Sequence, residues 1–183
     1  MRLKNGDIFF VDKGTKWGNI VGWFQGNRYH HVGIVIRLFG KIYIFEALAQ
    51  GMVFTPVKSY KKKVEEKGYT VEIKRLENER FETIHRGDYA DICLPLTCVG
   101  YEFKNLVGFQ AVRFAWFKLF KKNIWVGRKQ NVKNNRMICS ELVGYIYFQL
   151  FGMFKDDWHK LAPSDIYNND NFITVGKMRN RRK

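Results

Sequence analysis

The sequence predicts an α+β domain: an antiparallel β-sheet packed against helices, with a cysteine at the head of one of them. Three observations carry this. Short β-rich runs crowd the first half of the chain, helical apolar patterns dominate the second, and Cys139 opens the apolar helical run in "MICSELVGYIYFQL".

The elements follow in order. "GDIFFVD" reads as a first strand, and Thr15 to Gln25 as a short helix with Trp17, Ile20, Val21 and Phe24 on one face, stopped by Gly26 and Asn27. "HVGIVIRL" and "KIYIFEAL" meet across Phe39 and Gly40, a connection short enough to require an antiparallel hairpin. Further strands are expected at "MVFTPV" and "YTVEIKRL". Glu77 to Cys93 reads as helix, weakened at its centre by Gly87, and Leu94 to Lys104 as a loop. Leu106 to Phe120 forms an amphipathic pattern, followed by a polar, basic connection from Lys121 to Arg136 and then the Cys139 helix. "APSDIY" marks a turn or short helix start, and "FITVGKM" suits a last strand.

Composition narrows the function classes. With 183 residues, 46% hydrophobic and 16% aromatic, the chain can bury one core, so residues 1–176 are expected to form one domain and the basic residues 177–183 a tail without fixed structure. Lys and Arg number 32 against 17 acidic residues, and the net charge of +15 favours anionic partners. Three cysteines, Cys93, Cys98 and Cys139, are too few for a disulfide framework. "MRLKNGDIFF" lacks a secretory h-region, so a cytoplasmic location is expected. "LVGFQAVRFAWFKLF" is interrupted by Gln110, Arg113 and Lys118 and is shorter than the roughly 20 residues of a spanning helix, so no transmembrane segment is expected. Nor is a cofactor or metal. Cys93 and Cys98, with His85 nearby, lack the second tight ligand pair that zinc favours, and no Gly-rich phosphate loop is present.

Three residues stand out chemically. A helix N-terminus and a nearby imidazole both favour a thiolate, and these are the surroundings that Cys139 and His31 would provide for each other if the fold joins them. In the hairpin, alternation puts His31, Gly33 and Val35 on one face, and a turn at Phe39 and Gly40 sets Glu46 within one or two rungs of His31. A carboxylate in the apolar run "IYIFEAL" needs a partner, and one beside an imidazole fixes its tautomer and stabilises its protonated form. Each residue also has a structural reading: Cys139 as a small core hydrophobe, His31 as a satisfied group at a strand start, Glu46 as an edge charge.

The order "GDIFF", a Trp-containing helix, "HHVGIVI", "IFEALAQGMVFTPV", "GYEF" and "CSELVGYIY" resembles the permuted papain-like enzymes of the NlpC superfamily, specifically the YaeF/YiiX-like group, from Gly6 to about Ile166. The resemblance implies a circularly permuted papain-like fold, with the histidine strand ahead of the cysteine helix. It also implies Cys139 as nucleophile, His31 of the His-x-Gly pattern as base, Glu46 of the Glu-Ala pair as orienting group, and Tyr101 lining a substrate cleft. The implied activity is amide or peptide hydrolysis through an acyl-enzyme on a peptide or acyl small-molecule substrate, with acyl transfer of the lecithin-retinol type as the alternative. Two departures stand against it: Gly100, Tyr101 and Glu102 shorten the family's Gly-x-x-Tyr-Asp loop, and Leu106 to Arg136 has no counterpart. His30 adjoins His31, and the sequence leaves an exchange of roles open. From a different class, Lys61 to Lys63, Lys121 and Lys122, Arg128 and Lys129, and "RNRRK" could serve a module binding nucleic acid or an anionic surface.

Overall fold

"IFFVD" shows no alternation because the strand it forms, β1 (Ile8–Asp12), is buried along its whole length. A strand covered on both faces reads as a continuous apolar run. The computed structural model describes residues 2–14, 28–101 and 136–180. The expected helix over 15–25, the amphipathic segment 106–120, nearly all of the basic connection and the last three residues lie outside the described residues.

Strand β2 (His31–Leu38) turns into β3 (Lys41–Leu48), which returns as β4 (Gly51–Pro56). Helix α1 (Val57–Lys67) follows, then β5 (Thr70–Leu76), α2 (Glu79–Thr83), α3 (Arg86–Leu96) and the two-residue β6 (Gly100–Tyr101). The last part holds β7 (Arg136–Met137), α4 (Cys139–Phe151), a 3-10 turn at Trp158–Lys160, α5 (Pro163–Tyr167) and β8 (Phe172–Met178). Six strands form one antiparallel sheet in the order β4-β3-β2-β1-β5-β8, so the fold is mixed α+β, with five helices among the described residues. The β2–β3 turn is the expected hairpin: Leu38 pairs with Lys41, and Phe39 and Gly40 take φ of 48° and 74°.

Helices cover both faces of this sheet. Ile8, Phe10, Val32, Ile34 and Phe45 pack toward α3 and α4, where Cys93, Leu142, Val143 and Ile146 are buried. Phe9, Val11, Val35, Ile44 and Ile73 pack the other way, against Tyr60 and Val64 of α1. Val57, Tyr60 and Val64 are spaced three and four residues apart in an otherwise lysine-rich run, so their apolar groups align on one side of the helix. Helix α4 comes close to the 3-10 turn because it has Gly144 there. A Cβ at that position would stand 2.5 Å from Leu161 Cδ1 and 3.1 Å from the Trp158 carbonyl oxygen.

The elements depart from expectation at four places. The helix expected over Glu77–Cys93 is two helices, because the segment contains two start signals: the Asn78 side chain accepts from the Arg80 N–H at 2.8 Å, and Asp88 accepts from the His85 N–H at 2.7 Å. Helix α3 then runs on to Leu96, past the expected boundary, so the loop expected from Leu94 begins later, and Gly100 and Tyr101 pair in parallel with Arg136 and Met137. No helix was expected at Val57–Lys67, where α1 stands. At the C-terminus, Lys177 and Met178 belong to β8, opposite Glu72 and Val71.

That last pairing closes a polar cluster under the sheet edge. Buried Glu72 accepts from the Tyr29 hydroxyl at 2.6 Å, Thr174 Oγ1 at 2.9 Å, the Tyr167 hydroxyl at 3.0 Å and Lys177 Nζ at 3.1 Å. Burial alone would raise its pKa, but these donors outweigh burial and hold the carboxyl down at about 2, from an ordinary 4.5. A depressed carboxylate stabilises the fold fully above its unfolded pKa and loses that contribution as pH falls toward the folded value. Glu72→Gln should therefore cost about 2 kcal/mol at neutral pH. It should also flatten the acid limb of stability between pH 4.5 and 2, as read by urea unfolding across that range.

Candidate active site

Strand β2 brings its first residue, His31, to the edge of the core, and the register of the hairpin decides what it meets. Ile34 pairs with Phe45, so continuing the register sets Gly33 against Glu46 and leaves His31 diagonal to it. Gly33 makes that diagonal possible: a Cβ there would lie 2.7 Å from Ile44 Cγ2 and 3.1 Å from Glu46 Cβ. His31 Nε2 and Glu46 Oε2 are 2.5 Å apart, and the Tyr60 hydroxyl donates to the same oxygen at 2.5 Å. Cys139, the first residue of α4, hydrogen-bonds the same imidazole. With Nε2 held by Glu46, Nδ1 is the ring nitrogen left for the sulfur.

Burial disfavours charge on all three groups, and the contacts reverse it. For Cys139, burial pushes the thiol up, but the His31 hydrogen bond and charge, with the backbone N–H groups of Val32 and Ser140, bring it below its ordinary value. For His31, burial would lower the pKa, and the bonds to Cys139 and Glu46 raise it to about 9. For Glu46, burial would raise the pKa, and His31, Thr55 and Tyr60 hold it low. The contacts therefore favour the charged form of each group, in a row that alternates in sign from carboxylate to imidazole to thiol. Cys139 and His31 keep 7% and 8% of their surface exposed and Glu46 none, so the carboxylate is the sealed end of the row.

The Glu46 contact belongs to His31 and not to His30, whose own pKa is lowered, chiefly by burial. The parallel pairing of β6 and β7 sets the backbone of Tyr101 beside Met137, two residues before Cys139, while its side chain lies outside the described residues. Cys93 is buried among apolar groups with its thiol pushed up to about 12, and Cys98 is exposed. Among the described residues no three His, Cys, Asp or Glu side chains converge as metal ligands, and no described helix is long and apolar enough to cross a membrane. Three participants escaped the sequence reading, Thr55 of β4 among them. Tyr60 was legible in principle, through the spacing of Val57, Tyr60 and Val64, whereas the Val32 N–H is a backbone group with no sequence signature.

Set beside known proteins, the chain matches no family model and no curated protein. Its architecture is that of a mixed α+β fold already seen in solved structures. One of these is the crystal structure of the metalloprotein YiiX from Escherichia coli O157:H7, similar with a TM-score of 0.64 over 98% of this chain and 99% of that one, at 17% identity. The likeness is one of fold, and it agrees with the YiiX-like resemblance of the motifs.

The electrostatics predict a selective thiol. Iodoacetamide at mildly acidic pH should modify Cys139 ahead of exposed Cys98 and leave buried Cys93 untouched. His31→Ala should remove that preference, as peptide mass mapping would show.

Proposed function

We propose that the protein is a thiol-dependent hydrolase of the permuted papain-like, NlpC type, acting on amide or ester carbonyls through an acyl-enzyme on Cys139. The observation that carries the reading is the unbroken contact chain from the Cys139 sulfur through His31 to Glu46 and Tyr60. His31 takes the thiol proton, and the thiolate attacks the carbonyl carbon to form a C–S bond. The developing oxyanion lies within reach of backbone N–H groups at the head of α4. The first intrahelical bond there runs from the Leu142 N–H to the Ile138 carbonyl, which leaves the N–H groups of Cys139 and Ser140 without an intrahelical acceptor. The Val32 N–H, already directed at the sulfur, is a further donor. Collapse of the tetrahedral adduct breaks the bond to the leaving group, which departs with the proton held on His31. Water, deprotonated by the same imidazole, then releases the acid and restores the thiol.

Glu46 keeps the imidazolium oriented and charged, and Tyr60 fixes Glu46 by binding the same oxygen. An amine or alcohol in place of water would turn the same intermediate to acyl transfer. Tyr101, on the strand beside β7, is assigned to the substrate cleft. The YiiX structure is titled a metalloprotein. The donor set here offers a thiol, an imidazole and a carboxylate already bonded to one another, which fits acid–base work better than metal ligation.

The test is an activity-based acyl-probe panel read by mass spectrometry. An adduct on Cys139, absent in Cys139→Ala, is the expected result, and no adduct with any probe counts against the reading. On a turned-over substrate, Glu46→Gln should cut kcat roughly 100-fold or more. The pH–rate profile should show a plateau that falls through about pH 9, where His31 loses its proton and the ion pair with Cys139 is lost.

A further inference from the structure

The end of the sheet away from Cys139 carries two features that the proposed chemistry does not use. At the tip of the β2–β3 hairpin, Phe39 is 96% exposed. It also adopts φ of 48°, a left-handed conformation that a bulky side chain rarely takes and that Asn or Gly would accept more readily. Folding gives this ring no burial in return. Beside it, the N-terminal segment, the end of β2 and the α2–α3 junction form a cleft of about 450 Å³ lined by Arg2, Lys4, Arg37, Phe81, Glu82 and Arg86. Lys4 is neutralised by Glu82 at 2.5 Å. Arg2, Arg37, Arg86 and the neighbouring Lys41 have no acidic partner among the described residues. The Asn5 side chain accepts from the Arg37 N–H at 2.7 Å and ties the N-terminal segment to the hairpin, so the cations and the aromatic tip share one end of the molecule.

An unpaired arginine cluster alone would suit any polyanion. A protruding aromatic flanked by Arg37 and Lys41 narrows the choice, because it needs a partner that is apolar just beneath an anionic surface. A phospholipid bilayer has that profile: aromatic rings settle at headgroup depth, and arginines pair with lipid phosphates. We propose that this end of the sheet docks on anionic phospholipid membranes, with Phe39 entering the interface and Arg2, Arg37 and Arg86 binding headgroup phosphates. The site does not depend on catalysis at Cys139.

The full-length protein should co-sediment with vesicles of phosphatidylcholine plus phosphatidylserine and not with phosphatidylcholine alone. Phe39→Ser should weaken the partition roughly tenfold through lost apolar insertion. The pair Arg37→Gln and Arg86→Gln should weaken it by roughly fivefold per charge. Thermal melting of both variants checks that they are folded, and the fully exposed Phe39 gives a variant whose fold is not at stake. Absence of vesicle binding overturns the proposal, as does binding that both variants retain, which would place the contact elsewhere. Binding to duplex DNA as tight as to vesicles, with neither affected by Phe39→Ser, would assign the surface to polyanions in general and overturn it too.

Discussion

The arrangement rests on one buried charge. Glu46 has no exposed surface, and a carboxylate sealed from water either takes up a proton or acquires a cation and hydrogen-bond donors. Here it acquires His31, Tyr60 and Thr55, and the requirement is passed along: the carboxylate favours the charged form of the imidazole, and the imidazole lowers the pKa of the thiol beside it. None of the three charges would survive its own desolvation alone. Each charged form is favoured only by the neighbour of opposite sign, so the reactivity proposed for Cys139 is set two residues away, inside the sheet.

That dependence ties chemistry to sheet register. Tyr60 reaches Glu46 from the α1 side of the sheet, while Cys139 packs in the cluster on the α4 side, so the site stitches both helical layers together at the open end of β2. A slip of one residue between β2 and β3 would turn Glu46 to the opposite face and leave a carboxylate among the apolar groups beneath α4. Several features hold the register: the two-residue turn at Phe39 and Gly40, the absence of a side chain at Gly33, and the burial of both strands against helices. Fold stability and site geometry are therefore the same constraint at these positions.

Much of this is legible in the sequence. Hairpin length and alternation place Glu46 near His31, because a strand period of two leaves few options. The helix start at Cys139 follows from where the apolar pattern begins. What the sequence hid has physical reasons. Tyr60 sits in a run dominated by Lys58, Lys61, Lys62 and Lys63, whose charge masks three apolar positions, and Lys63 itself lies over the Tyr60 ring at 4.3 Å. The break between α2 and α3 depends on Asn78 and Asp88 acting as caps, and such residues are common outside helix starts as well. The burial of β1 and β2 on both faces is a tertiary fact, visible locally only as missing alternation. Contact between His31 and Cys139, more than 100 residues apart, is a matter of topology that no local pattern contains; order and family-like motifs anticipated it, and the packing of α4 on β2 accounts for it.

The large positive charge of the chain invites the idea that its general field makes the thiolate. Distances argue otherwise. From His31 to Arg37 is six residues of extended strand, roughly 20 Å at about 3.3 Å per residue, whereas charges at a protein surface are screened over about 8 Å at physiological ionic strength. The arginines at the hairpin end therefore act on what lies outside the molecule, and the sulfur responds to the single imidazole in contact with it. Added salt should then distinguish the two ends, weakening association at the basic surface while leaving the buried Cys139–His31–Glu46 row nearly unchanged, since little solvent enters between those groups. A chain this basic can thus combine the proposed anion-binding surface with the proposed nucleophile without either compromising the other, because one works through water and the other is shielded from it.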